Sequence, residues 1–109
     1  MASIVRIGRE EAGRRLANVS EEMVFWCYNG RCLKSLDELE RALTDMSDET
    51  FGYHSGGERS DFRNWVRYVV GDDKLARDLE KAGSREQARR AVAKRIAFLK
   101  GKLQDRLAT

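Results

Sequence analysis

The chain reads as mainly α, a small single domain of about five to six helices with a short N-terminal β-hairpin, and three observations predict this. Apolar residues return at helical spacing in several separate windows. Most of those windows open on a Ser or Asp placed to cap a helix, glycines stand between them, and proline is absent throughout. A single stretch, 23–33, breaks the pattern with β-forming residues around Asn29-Gly30. The chain has 109 residues, 41% of them hydrophobic. A domain of that size buries roughly two thirds of its unfolded surface and needs no disulfide or metal staple. Charged residues reach 36%, but the apolar content is too high for a disordered segment. No apolar run is long enough to span a bilayer and the N-terminus lacks the apolar core of a secretion signal, so the expected location is cytoplasmic.

Three segments organise the chain: a basic, partly helical segment 1–22, a core domain 23–83 of hairpin plus helices, and a long basic amphipathic helix in 84–109. Residues 4–17 predict a short, poorly anchored helix that Gly13 weakens. The run Phe25-Trp26-Cys27-Tyr28 and the run Arg31-Cys32-Leu33 flank Asn29-Gly30, predicting a two-residue hairpin turn in which Cys27 faces Cys32. Ser35 and Glu38 form a capping box that opens a helix to about Met46, with Leu36, Leu39 and Leu43 on one face. Ser47 caps a short helix over 48–54. Ser60 caps the next, 61–70, whose inward positions are Phe62, Trp65, Val66 and Val69. Gly71 ends it, Asp72 caps a helix over 73–82 carrying Leu75, Ala76 and Leu79, and Gly83 closes that one. Ser84 with Gln87 makes a further capping box.

The helix that follows, 85–107, carries one apolar stripe of Ala88, Val92, Ile96, Leu99, Leu103 and Leu107. Charge is unevenly distributed along the chain. Residues 18–83 hold nine basic and fourteen acidic groups, whereas residues 84–109 hold eight basic and two acidic. A basic helix therefore sits on an acidic body. Its cations spread over both flanks and the back rather than forming one row. Such a helix either docks on its own body or offers a handle to an anionic partner.

Two groups invite a chemical reading. Cys27 and Cys32, facing across a hairpin, would be a redox-responsive pair or, with His54, candidate zinc ligands; the simpler reading makes them small buried hydrophobes. His54 is the only histidine, and Asp61 follows it across Gly56-Gly57, as a base and its orienting carboxylate would. No nucleophile accompanies them, because Ser47, Ser60 and Ser84 stand at helix caps and Ser55 lies in the loop. Paired acids such as Asp72-Asp73 stand at helix starts, where the macrodipole accounts for them. Phosphate loops, zincin motifs and dinucleotide fingerprints are absent from the sequence. His54 and Asp61 therefore read as a fastening between two helices, with Phe62 and Trp65 entering the core.

The runs Phe25-Trp26-Cys27-Tyr28-Asn29-Gly30, Lys34-Ser35-Leu36, Phe51-Gly52-Tyr53-His54 and Asp61-Phe62 with Trp65 resemble an uncharacterised family of prokaryotic domains of unknown function, found in archaea and bacteria. The family pattern is an aromatic strand with a glycine turn, then K-S-L, F-x-x-H and N-D-F-x-x-W. The resemblance covers about residues 23–82. It departs from the pattern at Ser60, where Asn is expected and Ser caps equally well. It implies that His54, Asp61, Phe62 and Trp65 act together, and it implies no known activity.

The function expected from the sequence is a non-enzymatic interaction or regulatory module that binds a protein partner or itself through its helical surface. It calls for no cofactor and no membrane. The alternative is nucleic-acid binding through Arg85, Arg89, Arg90, Lys94, Arg95, Lys100 and Lys102, helped by Arg6, Arg9, Arg14 and Arg15. A thiol- or metal-dependent switch, or a small enzyme, is the third reading.

Overall fold

In the computed structural model, which describes residues 7–27, 30–55 and 61–104, capping and apolar spacing divide the chain into helices much as expected. Helix α1 (Arg9–Leu16) leads through a single 3-10 turn (Glu21–Met23) into strands β1 (Phe25–Trp26) and β2 (Cys32–Leu33). Then come α2 (Leu36–Asp45), α3 (Asp48–Ser55), α4 (Asp61–Trp65), α5 (Asp73–Lys81) and α6 (Arg85–Leu103). The caps are in place. Ser35 Oγ accepts from the Glu38 amide, Ser47 Oγ from Thr50 at 3.0 Å, and Ser84 Oγ from Gln87 at 3.1 Å. Glu38 reaches back one residue past the cap and accepts from the Lys34 amide at 2.8 Å, a variant of the expected capping box.

One hydrophobic core draws on every part of the described chain. The three predicted leucines of α2 and the stripe Ala88, Val92, Ile96 and Leu99 of α6 are buried together with Ala12, Leu33, Phe62, Trp65 and Leu75. Helix α6 is the spine, packing on α1, α2 and α5. Each fully buried Leu here contributes about 1.5–3 kcal/mol. None of the described helices is long and apolar enough to cross a membrane.

Three expectations are corrected. The hairpin pairs Phe25 with Leu33 and Trp26 with Cys32, one residue out of the predicted register. The Cys27 amide donates to the Arg31 carbonyl, the Cys27 carbonyl accepts from the Gly30 amide, and Gly30 takes φ +90°. The connection is thus three residues long with a left-handed glycine last, an arrangement as available to Asn-Gly as the two-residue turn. Second, the 3.6-residue period of α4 does not persist. Residues Val66–Val70 form a π-helical turn, so Val70, rather than the expected Val69, takes the buried position. Third, α1 is firmly held: Ala12 is fully buried and Gly13 lies against Leu103 of α6. Gly83 follows the end of α5 as expected: the helix closes on Ala82 in extended geometry, and the Gly83 amide donates to Gln87 Oε1 at 2.7 Å. The expected cap Ser60, the bend at Gly56-Gly57, and Arg6, Arg106 and Leu107 lie outside the described residues.

Candidate functional site

The residues on either side of 56–60 meet in a packed joint. His54, at the C-terminal end of α3, is 4% exposed, and its Nδ1 shares a 2.8 Å hydrogen bond with Oδ2 of Asp61, the first residue of α4. The imidazole sits among the rings of Phe25, Tyr53 and Phe62 at centroid distances of 5.0–5.2 Å. Phe25 also stacks on Phe62 and meets the edge of Trp65, whose indole N–H donates to the Met23 carbonyl at 2.8 Å. The structure thus brings together all four residues of the expected motif and adds Phe25. A buried ring wedged between aromatics, with its Nδ1 bonded to a helix-start carboxylate, joins α3, α4 and the hairpin.

The thiols do not face each other across the hairpin. Cys27 is buried on the Phe25 face of the ribbon, whereas Cys32 pairs with Trp26, which is 67% exposed on the other face. Both are free thiols, and burial pushes the Cys27 thiol upward. No cluster of three or more potential metal ligands occurs among the described residues, so Cys27, Cys32 and His54 do not converge.

Asp72 has a larger role than capping. Its carboxylate is fully buried, and Oδ1 accepts from the Leu75 amide at 2.9 Å. Oδ2 accepts from Arg95 Nε of α6 at 2.9 Å and lies 3.2 Å from Arg15 Nη1 of α1. Burial by itself would raise the Asp72 pKa. The Arg95 and Leu75 hydrogen bonds and the charges of Arg95 and Arg15 outweigh that effect and hold it below the ordinary carboxylate value. Arg15 continues to Glu11 at 2.6 Å, which also binds Arg14 at 2.6 Å; the Arg14 and Arg15 hydrogen bonds lower Glu11 to about 2. Sequence reasoning identified the cap and missed the network, because Arg15, Asp72 and Arg95 are far apart in the chain.

The cations of α6 are largely engaged by the body. Arg85 donates to the Leu43 carbonyl at 2.7 Å and the Thr44 carbonyl at 3.2 Å, closing the C-terminal end of α2, and binds Asp48 at 2.9 Å. Arg89 joins Glu86 and, at 3.5 Å, Glu40; Arg90 meets Glu86 at 3.2 Å; Lys100 lies 3.8 Å from Asp37. Hydrogen bonding to Arg89, reinforced by Arg90, pulls Glu86 down to about 2. Of the seven nucleic-acid candidates on α6, Lys94 and Lys102 have no ion pair among the described residues. Lys102 instead sits over the Phe98 ring at 5.3 Å.

Between α5 and α6 runs a groove of about 540 Å³. Its α5 wall is Lys74 and Asp78, paired at 2.5 Å. On α6 it is lined by Gln87, by Ala91 and Phe98, and by the basic Arg90, Lys94 and Arg95. Phe98 is 44% exposed, with the Arg95 guanidinium 4.8 Å from its ring centre. Ala91 and Phe98 were overlooked because attention went to the main stripe. At 3.6 residues per turn they stand roughly a third of a turn around the helix from it, one heptad apart. That off-stripe apolar pair was the available signal. Comparisons of the chain with protein-family models, with curated proteins and with solved structures return no match.

Proposed function

We propose that the protein is a non-catalytic interaction module that binds a protein partner through the groove between α5 and α6. One observation carries the reading: the arginines of α6 are held in ion pairs by the body or by Glu86, yet the helix keeps Phe98 exposed next to the half-buried Ala91 and beside Lys94, which has no ion pair among the described residues. Exposed aromatic surface flanked by charge is the composition of a protein interface centre with its polar rim. Nucleic-acid binding by the same helix would require phosphates to compete with Asp48, Glu86 and Asp72 for arginines already held at 2.7–3.2 Å. The joint at His54 supports a structural rather than a catalytic part for that residue, since it is enclosed by rings.

Site-specific photo-crosslinking in lysate tests the reading, with a benzophenone amino acid in place of Phe98 and, as control, in place of the exposed Trp26. The expected result is an adduct at position 98 that protease removes and nuclease does not, and that exceeds the control. Nuclease-sensitive adducts, or equal yields at the two positions, would reject it.

A further inference from the structure

The α5/α6 groove, if it is the docking surface proposed above, also specifies the chemistry of its occupant. From Gln87 to Phe98 it follows three turns of α6, about 16 Å at 1.5 Å per residue, which is the length of a helix of about eleven residues. Its walls are two helices joined by a short connection, and the seam beside such a hairpin accepts the ridge of a third helix. The charges are one-sided. On the α5 wall Lys74 neutralises Asp78. On the α6 side Arg90 and Lys94 are exposed and four residues apart, about 6 Å along the axis. Arg90 is engaged through Nε by Glu86, and Lys94 has no ion pair among the described residues. Arg95 is already bound to Asp72 and lies over Phe98.

The geometry points to an acidic amphipathic helix of a partner protein as the occupant. Its apolar side chains, at i, i+4 and i+7, cover Ala91 and Phe98. Two carboxylates one turn apart meet Arg90 and Lys94. A second copy of this chain fits less well, since a two-fold contact over the groove sets the basic groups Arg90, Lys94 and Lys102 of one copy against the same basic set of the other. A nucleic-acid strand would find few unmatched cations here and would gain little from counterion release.

The test is a titration of the isotope-labelled chain with a stapled peptide of about fourteen residues, bearing Leu at i, i+4 and i+7 and a flanking pair of Glu spaced i, i+4. Amide shifts should map to Ala91, Lys94 and Phe98. Affinity should fall about threefold to tenfold when the peptide's Glu are changed to Gln, and by a similar factor in Lys94→Glu, as expected for one or two exposed ion pairs. A Lys-flanked peptide should regain binding to Lys94→Glu. That side chain is exposed and unpaired among the described residues, so the variant keeps its fold, and its amide spectrum verifies this. Equal affinity for the Gln peptide would overturn the acidic occupant and leave the groove standing. If no peptide shifts the groove signals while position 98 still crosslinks to protein, the helical occupant falls alone; if both fail, the docking surface falls with it. Displacement of the peptide by an oligothymidine would assign the groove to nucleic acid and overturn the proposal.

Discussion

Asp72 shows what one buried charge does when every neighbour answers it. The residue caps α5, and its second oxygen holds α1 through Arg15 and α6 through Arg95. Replacing a partner in such a cluster leaves the others buried without compensation, which is why breaking a buried pair is far costlier than an exposed one. Asp72→Asn should therefore lower stability by about 3 kcal/mol in urea unfolding. Surface-pair variants such as Asp78→Asn should move it by less than about 0.5 kcal/mol. At this scale the sequence disclosed each residue's local duty and little of its distant partners. Asp72 was readable as a cap because Ser and Asp caps act within three residues. Arg15 and Arg95 looked like free cations because an ion pair across 23 or 57 positions leaves no local spacing. The pairing of His54 with Asp61 was legible for the opposite reason, since they stand only seven positions apart.

At the level of elements, local rules held at the starts of α2, α3, α5 and α6 and failed where backbone geometry departs from the ideal period. Ser35, Ser47 and Ser84 cap as expected. The π turn at Val66–Val70 adds a residue to one turn, moves Val70 inward, and leaves Tyr68 73% exposed. No residue type in Val66-Arg67-Tyr68-Val69-Val70 signals it, because tertiary packing decides whether a helix bulges. The hairpin register failed similarly, since Asn-Gly suits more than one loop length. Two glycines separate the consequences of backbone freedom from those of space. Gly71 has φ +84° and a Cβ there would lie 3.1 Å from the Arg14 guanidinium, while its amide closes the π turn on the Val66 carbonyl. Gly13 is helical, and a Cβ would meet Leu103 at an ordinary 3.5 Å. Thermal unfolding should accordingly show Gly71→Ala destabilised by more than about 1 kcal/mol and Gly13→Ala stabilised by about 0.5–1 kcal/mol.

For the molecule as a whole, the carboxylates held below their ordinary values set the response to acid. Asp72, ordinarily 3.8, is lowered; Glu11 and Glu86, ordinarily 4.5, are lowered to about 2. A group with a depressed folded pKa binds protons first in the unfolded chain, so its contribution is complete above its ordinary value and disappears as pH falls through the folded one. Stability should hold from pH 7 to about 5 and decline between roughly pH 4.5 and 2, with Asp72→Asn flattening the decline. A profile that falls between pH 7 and 5 would contradict this. The core was legible as a set of stripes, but their assembly around α6 was not, because periodicity says which face is buried and not against what.

The packing of α1 on α6, with Arg15 and Arg95 meeting on one carboxylate, also governs when the chain can fold. Ala12 has its place in the core only once the segment carrying Val92, Ile96 and Leu99 exists. During synthesis, at about 5–20 residues per second, the first helix thus waits several seconds for its partner. Until then the aromatic joint and the leucines of α2 remain partly uncovered. Closing so long a loop is slow compared with forming any single helix. The nascent chain therefore passes through a window in which part of its apolar surface is uncovered, and that window ends once residues 85–99 have left the ribosome.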